Sequence, residues 1–181
     1  MIIDKYKTIF IHIPKNAGTS IETLFANSSF RIQPYKHASI HEIKRKFPKL
    51  YDSHSKFTII RDPYDKMVSW YFYLKTKVGE KHKVVEFNDW VKDPQLLWHA
   101  DDPIYFLDPQ HTWIDDTVKI IKFENLNEEL NNFFGKKIKL PITNKSNHKH
   151  YSKYYNQESI SIIYNRYEKD FIKFNYKYNT N

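Results

Sequence analysis

Residues 9–25 read IFIHIPKNAGTSIETLF, and this stretch decides the fold that we expect for the chain. An apolar run ends at Pro14, a short Lys-Asn-Ala-Gly loop follows, and Thr19 and Ser20 open an amphipathic segment. The order predicts a strand, a phosphate-binding loop and a helix start. Free N–H groups at a helix start, together with the helix dipole, favour an anion. Lys15 adds a positive charge, and Thr19 and Ser20 add hydroxyl donors.

The loop differs from a Walker A loop, in which the lysine directly follows a glycine and precedes Ser or Thr. Here Lys15 comes three residues before Gly18. The loop alone is also compatible with an ordinary strand–turn–helix corner. In that alternative Lys15 is solvated, and Thr19 or Ser20 is the N-cap of the helix.

A second informative stretch, residues 57–71, reads FTIIRDPYDKMVSWY. Its first four residues predict a short buried strand with Arg61 at the carboxyl end. Asp62 is a candidate N-cap and Pro63 a candidate first helical residue. Ser69 then lies about two turns into this helix.

Both stretches resemble motifs of the sulfotransferases that use 3′-phosphoadenosine 5′-phosphosulfate (PAPS). The order Pro-Lys-x-x-Gly-Thr-Ser is similar to their 5′-phosphosulfate loop, and Arg-Asp-Pro-Tyr-Asp-Lys-x-x-Ser-x-Tyr is similar to their 3′-phosphate motif, including its basic residue, here Lys66. The resemblance implies a donor site made of Lys15, Asn16, Ala17, Gly18, Thr19, Ser20, Arg61 and Ser69. Asn16 and Ala17 stand where the family loop has a threonine and a second glycine.

The resemblance covers most of the chain and is closest to the carbohydrate sulfotransferases, which include the heparan sulfate 2-O and chondroitin enzymes. Residues 118–126 look like the family's late strand ending in Phe-Glu-x-Leu. Residues 144–155 look like its C-terminal loop, and residues 170–176 look like its closing helix. The implied activity is transfer of a sulfuryl group from PAPS to a hydroxyl of a carbohydrate.

Sulfuryl transfer resembles phosphoryl transfer, so positioning and electrostatics carry most of the rate. Lys15 can neutralise the leaving phosphate, and we expect no metal. The acceptor hydroxyl needs a base, for which histidine is suited near neutral pH. Our first choice is His37, at the end of a predicted second strand and just before the capping box that begins at Ser39. The family carries a similar Lys-His-x-Ser/Thr segment, with a histidine as its usual base; a surface turn residue is the alternative.

The other histidines receive weaker assignments. His12 lies inside the first predicted strand and reads as structural. His37 and His41 are four residues apart, but the sequence lacks the His-Glu-x-x-His pattern and an evident third ligand, so we expect no zinc. The candidate contacts to the acceptor are His41, His111, His148 and Tyr151.

The composition of the chain limits which ligands and which cellular location we expect. The 181 residues carry a net charge of +8, which attracts anions such as a nucleotide or an acidic glycan. We find no RNA-binding signature, and the chain has no cysteine. With no signal peptide and no apolar run of about 20 residues, a cytoplasmic protein without a membrane span is expected. The oligomeric state stays open.

The predicted elements alternate between strands and helices, as in a P-loop-like three-layer α/β/α fold with a mostly parallel central sheet. We expect one domain over residues 1–181. Strands are predicted at 8–13, 30–34, 57–61 and 118–123. Helices are predicted at 19–27, 40–47, 63–77, 87–92, 110–114, 125–134 and 157–173. Residues 79–88, 93–109 and 141–156 are predicted as loops.

Two other functions are alternatives to a sulfotransferase. A P-loop-like nucleotide kinase would need a Walker lysine and a magnesium-binding Asp at a strand end, and neither is evident. A non-catalytic anion- or glycan-binding domain could keep the same fold, although the intact Lys15, Arg61 and Ser69 argue against it.

Overall fold

The computed structural model describes residues 1–27, 36–77, 84–97, 104–141 and 148–179. Its strands are β1 (Ile2–Ile3), β2 (Thr8–Ile11), β3 (Ser55–Ile60) and β4 (Lys119–Lys122). Its α-helices are α1 (Gly18–Leu24), α2 (Ile40–Lys46), α3 (Pro48–Ser53), α4 (Pro63–Lys77), α5 (Phe87–Lys92), α6 (Leu126–Phe134) and α7 (Gln157–Phe174). The chain divides into two compact units, one within Met1–Arg61 and Gln110–Lys145, the other within Asp62–Pro109 and Ser146–Asn181.

The first unit is built on a four-stranded sheet of order β1-β2-β3-β4. Strands β2, β3 and β4 are parallel, with Phe10 beside Phe57 and Phe57 beside Lys119. The mostly parallel sheet is therefore confirmed; the three-layer arrangement stays a prediction. Strand β1 adds an antiparallel edge that the sequence did not predict, because its two apolar residues are too few to show a pattern.

The core of the first unit lies between the sheet and the helices α1 and α6. The aromatic rings of Phe10 and Phe57 pack at 5.0 Å between centroids, and Phe57 contacts Phe133 at 4.9 Å. Apolar side chains from the strands and from both helices complete this cluster, among them Ile3, Ile21, Phe25, Ile59, Ile121 and Leu130. Because this core fixes the carboxyl ends of β2 and β3, it also fixes the loops that follow them.

The second unit packs α4 and α5 against α7. Trp90, Tyr64 and Tyr167 are its largest fully buried side chains. The hydroxyl of Tyr167 donates a 2.8 Å hydrogen bond to the carbonyl of Leu107, so a buried polar group is satisfied inside the aromatic packing.

Several predicted elements have the expected bounds. Helix α4 spans residues 63–77 as predicted, and helix α6 is followed by Gly135 in the left-handed conformation, at φ 62°. The capping box at Ser39 is confirmed, since its side chain accepts from the N–H of Glu42 and Glu42 accepts from the N–H of Ser39.

Other predictions were incomplete. The first strand ends at Ile11 rather than at 13, and helix α3 was missed. Short 3₁₀ turns at Pro94–Leu97, Ile104–Leu107 and Tyr151–Lys153 lie in segments predicted as loops, and the short helix predicted at 110–114 is a 3₁₀ turn. The predicted strand 30–34 lies outside the described residues, as do half of 79–88 and parts of 93–109 and 141–156.

Candidate functional site

The loop after β2 leads directly into α1. Lys15 and Ala17 both have positive φ, 68° and 58°, which is uncommon for residues with a side chain. Helix α1 begins at Gly18 with Ala17 as the N-cap, and no side chain caps it. Thr19 and Ser20 therefore lie inside the first turn, and the alternative that made one of them the N-cap is wrong.

The side chain of Asn16 is buried under this loop. Its amide nitrogen donates to the carbonyl of Ile59 and to Oε1 of Gln110, both at 2.7 Å. Gln110 in turn accepts from the N–H of Arg61 at 3.0 Å and donates to the carbonyl of Arg61 at 2.8 Å. This network, which we call the glutamine clamp, ties the loop after β2 to the end of β3.

Arg61 joins the two sequence motifs. Its Nη1 donates a 3.0 Å hydrogen bond to the carbonyl of Lys15, and its guanidinium carbon lies 4.3 Å from the centroid of the Phe123 ring. Only 7% of Arg61 is exposed. The cation–π contact and the hydrogen bond hold the guanidinium at the edge of the loop.

His12 lies just past the end of β2 and is buried. Its Nδ1 is 3.1 Å from Oε1 of Glu22, and the other oxygen of Glu22 is 3.4 Å from Nζ of Lys36. Because a carboxylate only accepts, Nδ1 of His12 carries the proton. Burial lowers the pKa of His12 more than Glu22 raises it, so the ring is neutral near pH 7.

His37 packs against His12, with 4.4 Å between the ring centroids. Its Nδ1 lies 3.0 Å from the carbonyl oxygen of His12. The carbonyl can only accept, so Nδ1 carries the proton and the lone pair is on Nε2. Burial, with a smaller contribution from His12, lowers the pKa of His37 to about 4. His37 is thus a neutral imidazole near pH 7.

The remaining candidate residues belong partly to the first unit and partly to the second. In the first unit, His41 is exposed in the first turn of α2, and His111 is half-buried in the turn after Pro109. In the second unit, the ring of His148 stacks on Phe72 at 5.5 Å. Tyr151 is buried there, and its hydroxyl accepts from the N–H of Asn179 at 2.8 Å.

The rest of the arginine motif belongs to the second unit. Asp62 accepts from the N–H of Tyr64 at 2.8 Å and so caps α4, as predicted. Ser69 is buried. Lys66 is also buried, and in the part of the chain that the structure describes its Nζ has no hydrogen-bond partner. Burial lowers the pKa of Lys66 to about 8, partly offset by the nearby Asp170.

Two residues of the site escaped the sequence reasoning. Glu22 reads as a polar position of an amphipathic helix, although its place one turn after Gly18 lets it reach back to His12. Gln110 lies 49 residues from Arg61 in sequence, and no local pattern indicates their contact.

Within the described ranges, no three His, Asp or Glu side chains are grouped as a metal site would require. The helices described there include none that is long and apolar enough to cross a membrane.

No curated protein and no solved structure gives a significant match to the chain. The family model described as the sulfotransferase family matches residues 1–97, which contain the Lys15 loop, His12, His37 and the whole arginine motif. By this match the chain belongs to the sulfotransferase family, whose activity is the transfer of a sulfuryl group.

Proposed function

We propose that the protein transfers a sulfuryl group from PAPS to a hydroxyl group, such as that of a carbohydrate. The observation that carries this proposal is the 3.0 Å hydrogen bond from Arg61 to the carbonyl of Lys15. Two motifs that sequence resemblance assigns to opposite ends of one nucleotide meet at this bond. The bond brings a buried cation to the loop that carries Lys15, as a site for a nucleotide with two phosphate groups would require.

The residues present suit the donor. Lys15 and the first turn of α1 would face the 5′-phosphosulfate, and Arg61 with Ser69 would bind the 3′-phosphate. Asn16 takes part through the backbone of the loop, because its side chain is committed to Ile59 and Gln110. When bound, PAPS supplies a sulfuryl group whose leaving partner is a phosphate. Lys15 would offset the charge that develops on that phosphate.

His37 is the proposed general base. Because Nδ1 donates to the carbonyl of His12, Nε2 carries the lone pair that would take the proton of an acceptor hydroxyl. The lowered pKa keeps that lone pair available throughout the neutral range. Glu22 and His12 are positioning residues: Glu22 fixes the ring of His12, and the backbone of His12 fixes the ring of His37.

The acceptor is proposed to be a glycan or another hydroxyl compound. The net charge of +8 favours an acidic acceptor. His41 and His111 from the first unit, and His148 from the second, are the proposed contacts to it. Tyr151 is the weakest of this group, since its hydroxyl already accepts from the backbone of Asn179.

Calorimetry with adenosine 3′,5′-bisphosphate, ADP and ATP tests the donor assignment. We expect the bisphosphate to bind most tightly, because only it has phosphates for both motifs. Arg61→Ala should weaken its binding by about ten- to a hundredfold, as loss of a charge-assisted contact does. Arg45→Ala, which removes an exposed arginine from α2, is the matched control and should bind normally.

Equal or tighter binding of ATP would contradict the donor assignment. Transfer of labelled sulfate from PAPS to a panel of neutral and acidic oligosaccharides tests the reaction itself. Tight bisphosphate binding without transfer to any hydroxyl compound would support a non-catalytic binding domain instead.

A further inference from the structure

A concave surface rich in lysine lies in the first unit, outside the site described above. It is a cavity of about 480 Å³ whose lining includes Tyr6 and Phe25. Its walls carry four lysines, Lys5, Lys136, Lys137 and Lys139, all of them exposed. Among the residues that the structure describes, no acidic one lines it, and the nearest in sequence is the exposed Asp4. We call this surface the lysine groove.

The lysine groove lies at the end of the sheet opposite to the Lys15 loop. Lys5 and Tyr6 come just before β2, whereas the loop follows its carboxyl end. Helix α1 runs back from the loop, so that Phe25 reaches Tyr6 at 5.8 Å between ring centroids. Helix α6 ends at the same place, with Phe134 at 4.9 Å from Tyr6. The lysine groove is therefore separate from the proposed donor site.

Two of the lysines lie at the ring of Tyr6. Nζ of Lys136 lies 4.7 Å from the centroid of Tyr6 and also donates to its hydroxyl, and Nζ of Lys5 lies 5.9 Å from the same centroid. A helix C-terminus attracts a cation, which accounts for Lys136 just after Gly135. It does not account for Lys5, which comes from another part of the chain, or for the three lysines within four residues. Such a field attracts a polyanion.

We propose that the lysine groove binds an acidic polysaccharide, whose sulfate or carboxylate groups would contact successive lysines. Single-stranded nucleic acid relies on stacking of bases on aromatic faces, but here the face of Tyr6 is shared with lysines. Several flexible lysines along a groove suit a chain with charges at regular intervals.

The proposed function enters this inference in one respect: the lysine groove would hold the acceptor polysaccharide at a second place while a distant sugar of the same chain reacts. The binding itself does not require turnover. Its failure and the failure of the donor assignment are therefore distinguishable, because the polysaccharide is measured without nucleotide and the bisphosphate without polysaccharide.

The test is calorimetric titration of the protein with a heparin-derived octasaccharide of uniform length. The groove variant combines Lys136→Gln, Lys137→Gln and Lys139→Gln. Its matched control removes the same charge from three exposed lysines elsewhere, through Lys49→Gln, Lys119→Gln and Lys169→Gln. We expect the groove variant to lose about tenfold or more in affinity and the control to change by about twofold at most. Bisphosphate binding should be unchanged in both.

Three results would overturn the proposal. The first is failure of the wild-type protein to bind the octasaccharide. The second is an equal loss of affinity in both variants, which would mean that net charge alone attracts the octasaccharide. The third is equal, groove-dependent binding of a single-stranded oligonucleotide of the same charge, which would assign the surface to nucleic acid.

Discussion

Gly18 and His12 share one volume: a Cβ built on Gly18 would lie 1.8 Å from Nε2 of His12 and 2.0 Å from its Cδ2. Gly18 does not have a positive φ, so the backbone conformation does not require a glycine here. The lack of space for a side chain does. Because Glu22 holds the other side of the ring, His12 has little freedom to move away. Position 18 is therefore a glycine because the ring of His12, which packs against His37, fills the space of a side chain.

Replacing Gly18 by alanine should destabilise the protein through this clash. Overpacking in a closed site typically costs about 1–3 kcal/mol in the free energy of unfolding. The cost should shrink in a His12→Ala background, where the ring is gone, and denaturant unfolding of the four proteins of this cycle measures the coupling. An equal cost in both backgrounds would show that the ring of His12 is not what excludes a side chain.

Replacing Ala17 by glycine should have the opposite effect. Ala17 has φ 58°, a conformation that costs a residue with a Cβ about 1–2 kcal/mol and a glycine little. Part of the gain is offset because glycine makes the unfolded chain more flexible. We expect Ala17→Gly to raise the free energy of unfolding by up to about 1 kcal/mol. Ala26→Gly, an exposed position just after α1 without positive φ, is the control and should not stabilise.

The glutamine clamp gives a third prediction. Gln110→Leu keeps the size of the side chain but leaves the N–H and carbonyl of Arg61 without their partner. Each unsatisfied buried group costs roughly 1–3 kcal/mol, so the variant should lose at least about 2 kcal/mol of stability. Bisphosphate affinity should fall as well, because Arg61 and Asn16 lose their anchor. A variant of wild-type stability would mean that water replaces the clamp.

The sequence predicted the elements whose signals are local. The capping box at Ser39 and the Asp62–Pro63 start of α4 are decided within four residues by side-chain hydrogen bonds and by the fixed φ of proline. Both are found as predicted.

What the sequence could not predict depends on contacts between distant parts of the chain. Gln110 meets Arg61 only because β2, β3 and β4 pair in a particular order. Glu22 is buried against His12 although glutamate is usually exposed, since the ring of His12 extends over Gly18. The Lys15 and Arg61 motifs were recognised separately, but their hydrogen bond follows from the parallel pairing of β2 with β3.

A fourth prediction concerns Lys15. Charge on the leaving phosphate grows towards the transition state, so a cation there helps the transition state more than the bound donor. Lys15→Ala should therefore lower kcat by more than it raises the Kd of the bisphosphate. Lys7→Ala, at another residue with positive φ in the same unit, controls for backbone effects. Unchanged kcat with only a raised KM for PAPS would contradict this role.

The last prediction concerns the protonation of His37 and its effect on stability. In the folded protein its pKa is about 4, below the value near 6.5 expected when the chain is unfolded. The unfolded chain therefore binds more protons between these values, so the contribution of His37 to stability is full above pH 6.5 and is lost as the pH falls towards 4. Glutamine can still donate to the carbonyl of His12 but cannot titrate. Between pH 7 and 5 the wild-type protein should lose roughly 1–2 kcal/mol more than His37→Gln.

The same variant should lose about 10²–10⁴ in kcat, the usual loss on removing a positioned base, while binding the bisphosphate normally. In the wild-type protein the acid limb of kcat/KM should fall near pH 4–5 rather than near 6.5, because the ring of His37 stays neutral until then. His41→Gln removes an exposed imidazole four residues away and should keep the acid limb where it is, whatever it does to acceptor affinity. Wild-type turnover in His37→Gln would place the base on another residue, and an unchanged pH dependence of stability would show that the ring is not held neutral by burial.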